Sequence, residues 1–167
     1  MRSTPVRLPP FQRLLDEHGA ALHRYCLAQA GPDHGPDCFQ ETVLAALTAY
    51  PKLRDASNLR SWLFTIAHHK IVDHHRRQAR RPRPVPELAA VDGAPATTGP
   101  VSGLDLGGGE LWAAVGELPE KQRGAIALRY LADLPYADIA AVLGCSEAAA
   151  RQSVRAGLTR LRTEVSR

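Results

Sequence analysis

The sequence predicts an all-α protein built from two small helical domains. Apolar residues recur at steps of three and four in both halves of the chain, which is the pattern of amphipathic helices. No stretch shows the strict alternation of polar and apolar residues that a half-buried strand requires. A segment rich in proline and glycine separates the halves, and a length of 167 residues leaves room for two small domains.

The first predicted domain spans residues 10–81 and holds three helices. Glycine-proline pairs at 31–32 and 35–36 predict a break after the first helix, and Asp37 lies near the expected start of the second, which Pro51 stops. The third helix is expected to begin after Ser57 or Asn58 as its N-cap. Five side chains are expected on the apolar face of the second helix: Phe39, Val43, Leu44, Leu47 and Tyr50.

Residues 82–109 are expected to form a flexible linker. Prolines and glycines dominate this segment, so it has fewer backbone donors and a higher entropy cost of ordering than ordinary chain. A structureless loop of about 28 residues inside one compact domain is improbable, which favours a division into two domains. The second domain is predicted at residues 110–165.

The most informative local pattern, from Tyr136 to Ser146, predicts a helix-turn-helix. Ala140 is small enough for two helices to cross, Gly144 tolerates the positive φ of the turn, and Ser146 can cap the last helix. The exposed face of that helix carries Ala148, Arg151, Gln152 and Arg155. Arginine and glutamine can read base edges in a major groove, and small residues permit close approach. The turn residues favour DNA binding over a merely solvated face.

A second basic concentration lies at the end of the third helix of the first domain. It comprises Lys70, Arg76, Arg77, Arg80, Arg81 and Arg83. Such a segment would bind phosphates with counterion release, although basic residues at a solvated helix end are equally common. The polar loop at 51–58 just upstream could receive an unstacked base.

Metal and catalytic sites are not expected. All seven histidines lie in the first half, but His34 and Cys38 lack the paired-cysteine partners of a structural zinc site. The sequence contains neither a phosphate-binding loop nor a nucleophile elbow, so we expect no catalytic residues and no cofactor.

The three cysteines are widely spaced, which is not the pattern of a disulfide framework and favours a reduced protein. The sequence has no apolar run long enough to span a membrane, and no apolar segment follows the N-terminal residues as in a signal peptide. We therefore expect a cytoplasmic protein without membrane insertion.

Two blocks of motifs make the chain resemble bacterial RNA polymerase sigma factors of the extracytoplasmic-function (ECF) group. The first block comprises residues 37–42 (DCFQET), 59–67 (LRSWLFTIA) and 73–77 (DHHRR). The second comprises residues 118–123 (LPEKQR), 128–130 (LRY) and the stretch from 136 to 162. Together the blocks cover nearly everything except the first ten residues and the predicted linker.

The resemblance implies three surfaces. Core polymerase would dock on Asp37, Gln40, Glu41 and Thr42. The minus-ten promoter element would be captured and melted by Lys52, Arg54, Asp55, Ser57, Asn58, Arg60, Trp62, Lys70, Arg76 and Arg77. The minus-thirty-five element would be read by Ala148, Ala149, Arg151, Gln152 and Arg155.

The resemblance implies RNA polymerase core and promoter DNA as partners, with an anti-sigma factor as a further candidate and a monomer as the simplest free state. Three positions depart from the family pattern: Cys38-Phe39, Pro135 and the run 148–150 (AAA). The last removes a hydroxyl that could contact DNA. Two other readings stay open at this point, a stand-alone helix-turn-helix regulator and a metal-dependent enzyme using the histidines.

Overall fold

The computed structural model describes residues 7–81 and 109–165, and within those ranges it is helical without strands. Its helices are α1 (Phe11–Ala49), α2 (Leu59–Arg80), α3 (Gly109–Gly116), α4 (Glu120–Tyr130), α5 (Tyr136–Leu143) and α6 (Glu147–Val165), with a 3₁₀ turn at Tyr50–Lys52. The predicted all-α class is confirmed. The predicted linker at 82–109 lies outside the described residues except for Gly109, which begins α3.

A kink at Gly31 divides α1. Gly31 has φ 78° and ψ 174°, a backbone conformation that side-chain-bearing residues rarely adopt. Helix resumes directly at Pro32, whose fixed φ suits a first helical position. The predicted break is therefore present, but the prediction that the next helix starts near Asp37 is wrong by about one turn, because Pro36 is accommodated inside the helix.

The helix α2 begins where its capping residue predicts. The side-chain oxygen of Asn58 accepts a hydrogen bond from the backbone N–H of Ser61 at 3.1 Å, which satisfies one of the free donors of the first turn. Of the two predicted candidates, Asn58 is thus the N-cap. Arg77 and Arg80 lie in the last turn, where positive charge interacts favourably with the helix dipole.

One hydrophobic cluster joins the two halves of the chain. Tyr25 and Phe64 from the first half and Leu128 and Ile139 from the second are fully buried members of it. The ring centroids of Tyr25 and Phe64 lie 5.5 Å apart, edge to face. A smaller cluster at the far side of the second half packs Trp112 against four buried side chains, Val115, Leu118, Ile126 and Leu161.

Helix α3 is an element that the sequence interpretation missed. Its eight residues lie beside the glycine run that predicted a linker, yet Val115 is 2% exposed and belongs to the smaller cluster. Tertiary burial of Val115 and Trp112 therefore outweighs the low helix propensity of the flanking glycines.

Two of the three cysteines are buried next to each other in the fold. Burial raises the pKa of the Cys26 thiol to about 12 and also raises the pKa of Cys38. Both are therefore neutral thiols at neutral pH, and Cys145 is exposed at the turn before α6. In the described part of the chain, no cluster of three or more histidine, cysteine or acidic residues is arranged for a metal, and no helix has the length and apolarity to cross a membrane.

Candidate nucleic-acid interface

The predicted helix-turn-helix is formed by α5 and α6. Gly144 adopts the left-handed conformation, with φ 65° and ψ 39°, and the N–H of Cys145 donates to the carbonyl of Ala140 at 3.0 Å. The hydroxyl oxygen of Ser146 accepts from the N–H of Ala149 at 3.1 Å, which caps α6. Gly144 and Ser146 thus occupy their predicted positions, the glycine because the turn needs a positive φ and the serine because its hydroxyl caps the helix.

The outer face of the first half of α6 is exposed to solvent. All five residues that the sequence places there are exposed: Ala148, Ala149, Arg151, Gln152 and Arg155. The inner face packs Ala150 and Val154 into the core, at 0% and 1% exposure. Beside the outer face lies an open cleft of about 650 Å³ with arginine, glutamine and threonine side chains, namely Gln122, Gln152, Arg155, Ala156, Thr159, Arg160 and Thr163.

Arg151 is the most constrained side chain on that face. Its guanidinium forms an ion pair with Glu147 one turn earlier and lies 4.8 Å from the ring centroid of Tyr136. Tyr136 was not among the predicted site residues. The sequence signal that could have found it is its place at the start of the first helix of the motif, directly after Pro135.

The loop of the first half between residues 51 and 58 is exposed at Lys52, Arg54, Asp55 and Ser57. The backbone N–H of Ser57 donates to the carboxylate of Asp55 at 2.8 Å, and this bond lowers the pKa of Asp55. Asp55 is thus ionised at neutral pH and stabilises the loop just before α2. The loop residues are open to solvent and close in sequence, as a surface that receives a base requires.

Two predicted residues at the start of α2 contact the second half of the chain. The amide nitrogen of Asn58 donates to the carboxylate of Asp138 at 2.9 Å, and the guanidinium of Arg60 lies 4.0 Å from Asp133. The sequence offers no indication of these contacts, because the partners are more than 70 residues away.

Trp62 lies partly buried between the loop and the core. Its ring centroid is 6.0 Å from that of Tyr50, and its side chain packs against the shared cluster. Part of the ring is accessible, so Trp62 combines a packing role with a partly exposed face.

The basic end of α2 is partly neutralised. Arg76 and Arg77 are exposed, and Arg77 lies 3.4 Å from the carboxylate of Glu41 on α1. Lys70 is half-buried and lines a cleft with Glu41 and Lys52. Basic residues from the loop and from α2 therefore meet at one side of the first half.

Three of the four histidines of α2 are partly buried, namely His68, His74 and His75, whereas His69 is exposed. Burial lowers the pKa of His68 and of His74, so both are neutral at neutral pH. The hydroxyl of Tyr25 lies 3.4 Å from the Nδ1 atom of His68. The rings of His34 and His74 are 4.6 Å apart between centroids, within the first half.

The predicted docking residues occupy two environments on α1. Asp37 and Gln40 are exposed and Glu41 is half-buried, whereas Thr42 is 0% exposed and its hydroxyl donates to the carbonyl of Cys38 at 2.7 Å. Thr42 therefore packs inside the helix pair and presents no surface.

Leu44 and Leu47 were expected on the apolar face of their helix, and that expectation is wrong. They are 64% and 50% exposed, three and six residues beyond Glu41, because the helix uses Thr42 and Ala46 as its buried stripe. Leu44 lines the open cleft of about 590 Å³ that continues to Lys52 and Lys70. An acidic and apolar surface on α1 thus adjoins the basic side of the first half.

Comparison with known protein families separates the chain into two matched stretches. Residues 14–81 match Sigma-70 region 2, and residues 108–161 match Sigma-70, region 4. The first stretch contains the loop and α2, and the second contains the helix-turn-helix. Both motif blocks that carried the resemblance lie inside the matched residues, except for residue 162 at the end of the second block.

Curated relatives from bacteria match across both stretches. The ECF RNA polymerase sigma factor SigC of Mycobacterium tuberculosis is 38% identical over 122 residues, which cover 71% of this chain and 63% of the relative. The chain thus spans less than two thirds of the length of that relative. The ECF RNA polymerase sigma factor SigD of the same species is 32% identical over 152 residues, covering 85% of this chain and 70% of the relative.

A solved structure matches the arrangement of helices. The sigma factor RpoE of Bartonella quintana, crystallised in complex with the anti-sigma factor NepR, superposes with a TM-score of 0.77 and 26% sequence identity. The match covers 95% of this chain and 98% of the other. The similarity therefore extends over both halves.

Proposed function

Since the chain belongs to the family of ECF RNA polymerase sigma factors, we propose that it directs core RNA polymerase to specific promoters and assists DNA opening at the start site. The observation that carries the proposal is the exposed outer face of α6, where Arg151, Gln152 and Arg155 project from a capped helix-turn-helix. These side chains have the chemistry of base and phosphate recognition in a major groove.

The upstream, minus-thirty-five element is assigned to this face. Arg151 and Gln152 supply hydrogen-bond donors for base edges. The small side chains of Ala148 and Ala149 allow the helix to approach the bases closely. Arg155 and the adjoining cleft with Arg160 would contact the phosphate backbone.

The minus-ten element is assigned to the loop at 51–58 and the start of α2. Lys52, Arg54 and Ser57 are free to contact a displaced strand, and Trp62 offers part of a ring for stacking. Asn58 and Arg60 would exchange their contacts with Asp138 and Asp133 for contacts with DNA. Arg76 and Arg77 on α2 would hold the adjoining backbone.

Core polymerase is assigned to the outer surface of α1. Asp37, Gln40 and Glu41 provide polar and acidic contacts, and the exposed Leu44 and Leu47 add the apolar area that a stable interface needs at its centre. Thr42 stabilises the helix from inside.

The chain would act by binding energy, with domains at 10–81 and 110–165 tethered through 82–109. Capture of unpaired bases lowers the free energy of the melted state, and the polymerase performs the chemistry. We place this activity in the cytoplasm, where an anti-sigma factor would compete for the same surfaces. The sigma factor of Bartonella quintana was crystallised with such a partner, which supports this extension.

Transcription with purified core polymerase tests the proposal. We expect the full chain, mixed with bacterial core enzyme, to initiate RNA synthesis from a subset of a randomised promoter library. The selected templates should share two short elements that are separated along the DNA. If the chain binds DNA specifically without core enzyme and yields no transcripts with it, a stand-alone regulator is the better description.

Charge reversal at Glu41 tests the docking surface separately. Glu41→Lys is expected to weaken co-purification with core enzyme, and Asp16→Lys on the same helix, an exposed residue outside the proposed surface, serves as the matched control. Equal retention of core enzyme by the Glu41 variant and the control would remove α1 from the proposal.

A further inference from the structure

The ring of Tyr136 lies against two arginines from different helices. The guanidinium carbon of Arg151 on α6 is 4.8 Å from the ring centroid, and that of Arg129 on α4 is 5.4 Å away. Both distances are within the range of a cation–π interaction. The first residue of α5 therefore connects the helix before the turn motif with the helix proposed to read DNA.

The ring is held in place by the fold rather than by Arg151. Tyr136 is partly buried and packs against the shared core, and the preceding residue Pro135 restricts the backbone where α5 begins. Arg129 is tied to the same turn, because its guanidinium donates to the carbonyl of Leu134 at 3.2 Å and lies 3.8 Å from Asp133. Tyr136 is thus a fixed surface beneath a side chain that is otherwise exposed.

Arg151 needs such a support. Its side chain is 57% exposed, and a free arginine samples many rotamers that point away from a base. Stacking occupies the flat face of the guanidinium and leaves the N–H groups at its edge available for a bidentate contact. Glu147 accepts a hydrogen bond from the Nη2 atom of the group, which further restricts the rotamer of Arg151.

We propose that Tyr136 is a positioning residue for promoter recognition, its ring orienting Arg151 for a bidentate contact with a guanine of the upstream element. This inference rests on the proposed function of α6. It assigns the effect to the ring and requires nothing of the phenol hydroxyl. Loss of the ring should reduce discrimination at the base pair that Arg151 reads, while general affinity for DNA stays the same.

The test measures base preference at every upstream position. Full-length variants are reconstituted with bacterial core polymerase, bound to a library randomised in the upstream element, and the bound DNA is sequenced. Arg151→Ala identifies the position that Arg151 reads. Tyr136→Leu should reduce the preference at that same position about two- to fivefold, which corresponds to one exposed cation–π contact, and Tyr136→Phe should retain it.

Two comparisons separate positioning from other roles. Combined with Arg151→Ala, Tyr136→Leu should cause no further loss, because the ring acts through the arginine. The matched control is Tyr130→Leu, which removes another tyrosine ring of this half, 56% exposed, over which no arginine lies among the described residues. This control should leave base preference unchanged.

Three results would overturn the inference. An additive loss in the double variant would show that Tyr136 contacts DNA itself, and equal damage from Tyr136→Phe would assign the effect to the hydroxyl. A uniform loss at all positions would indicate a structural role only. If Arg151→Ala changes no upstream preference, the proposed function of α6 fails as well, so the two failures are distinguishable.

Discussion

The two surfaces proposed to bind DNA differ in which parts of the molecule contact them. The outer face of α6 is exposed, and the contacts of Arg151 on it come from Glu147 and Tyr136, within its own helix-turn-helix. The start of α2 is held by the other half of the chain, since Asn58 bonds to Asp138 and Arg60 lies near Asp133. A surface built from local motifs can be evaluated alone, whereas the other depends on how the halves pack.

The largest expected effect tests whether the halves share one core. Leu128 is fully buried in the cluster that also contains Tyr25 and Phe64, so Leu128→Ala should lower the free energy of unfolding by about 2–5 kcal/mol. Trp62 and Trp112 report on opposite halves, and single-tryptophan variants should show coincident denaturant transitions by fluorescence. Loss of stability in the second half alone would contradict a shared core.

A medium effect on DNA affinity is expected when a base contact of the outer face of α6 is removed. Arg151→Ala should weaken binding of the upstream element by about 1–3 kcal/mol, because a bidentate base contact is lost. Arg162→Ala, at an exposed arginine in the last turn of α6, is the control and should change affinity less. Footprinting of the reconstituted polymerase on a selected promoter measures both. An unchanged upstream footprint for the Arg151 variant rejects this role.

A smaller effect compares the two capping residues. Ser146→Ala removes one cap bond and should cost about 1 kcal/mol of unfolding free energy. Asn58→Ala removes both its cap bond and its bond to Asp138, so it should cost more than the serine variant. Adding Asp138→Ala to each variant isolates the contact between halves. If the asparagine and serine variants lose equal stability, the bond between Asn58 and Asp138 contributes nothing.

The smallest effect is expected from mild acid. All seven histidines lie in the first half, and burial lowers the folded-state pKa of His68 and His74 below the ordinary value. The unfolded chain then binds more protons, so stability is full above the ordinary histidine pKa of about 6.5 and falls as pH drops below it. Thermal unfolding at pH 7.5 and 5.5 measures this loss, which His68→Phe should reduce.

Where a local signal was complete, sequence reasoning located the elements closely. Gly144 and Ser146 act through their own backbone and hydroxyl, so the turn and the cap of α6 follow from residue type alone. Asn58 capped α2 for the same reason. These interactions join residues at most five positions apart in the sequence.

Predictions from the sequence were wrong or incomplete where burial against other helices determines which residues are exposed and which segments are helical. Leu44 and Leu47 fit an apolar face as well as the residues that are actually buried, and only packing against α2 shows that Thr42 and Ala46 face inward. Helix α3 was missed because its stability comes from contacts of Val115 and Trp112 with α4 and α6. In both cases the deciding contacts come from another helix.

The sequence alone determined the helical class, the capped turn before α6 and the identity of the basic residues on that helix, because periodicity, backbone freedom and capping are properties of neighbouring residues. The tertiary structure alone decided which side of α1 is exposed, that Asn58 and Arg60 meet acidic residues of the other half, and that Tyr136 lies beneath Arg151. Those outcomes depend on which surfaces from distant parts of the chain are buried against each other. A local sequence pattern does not specify that pairing.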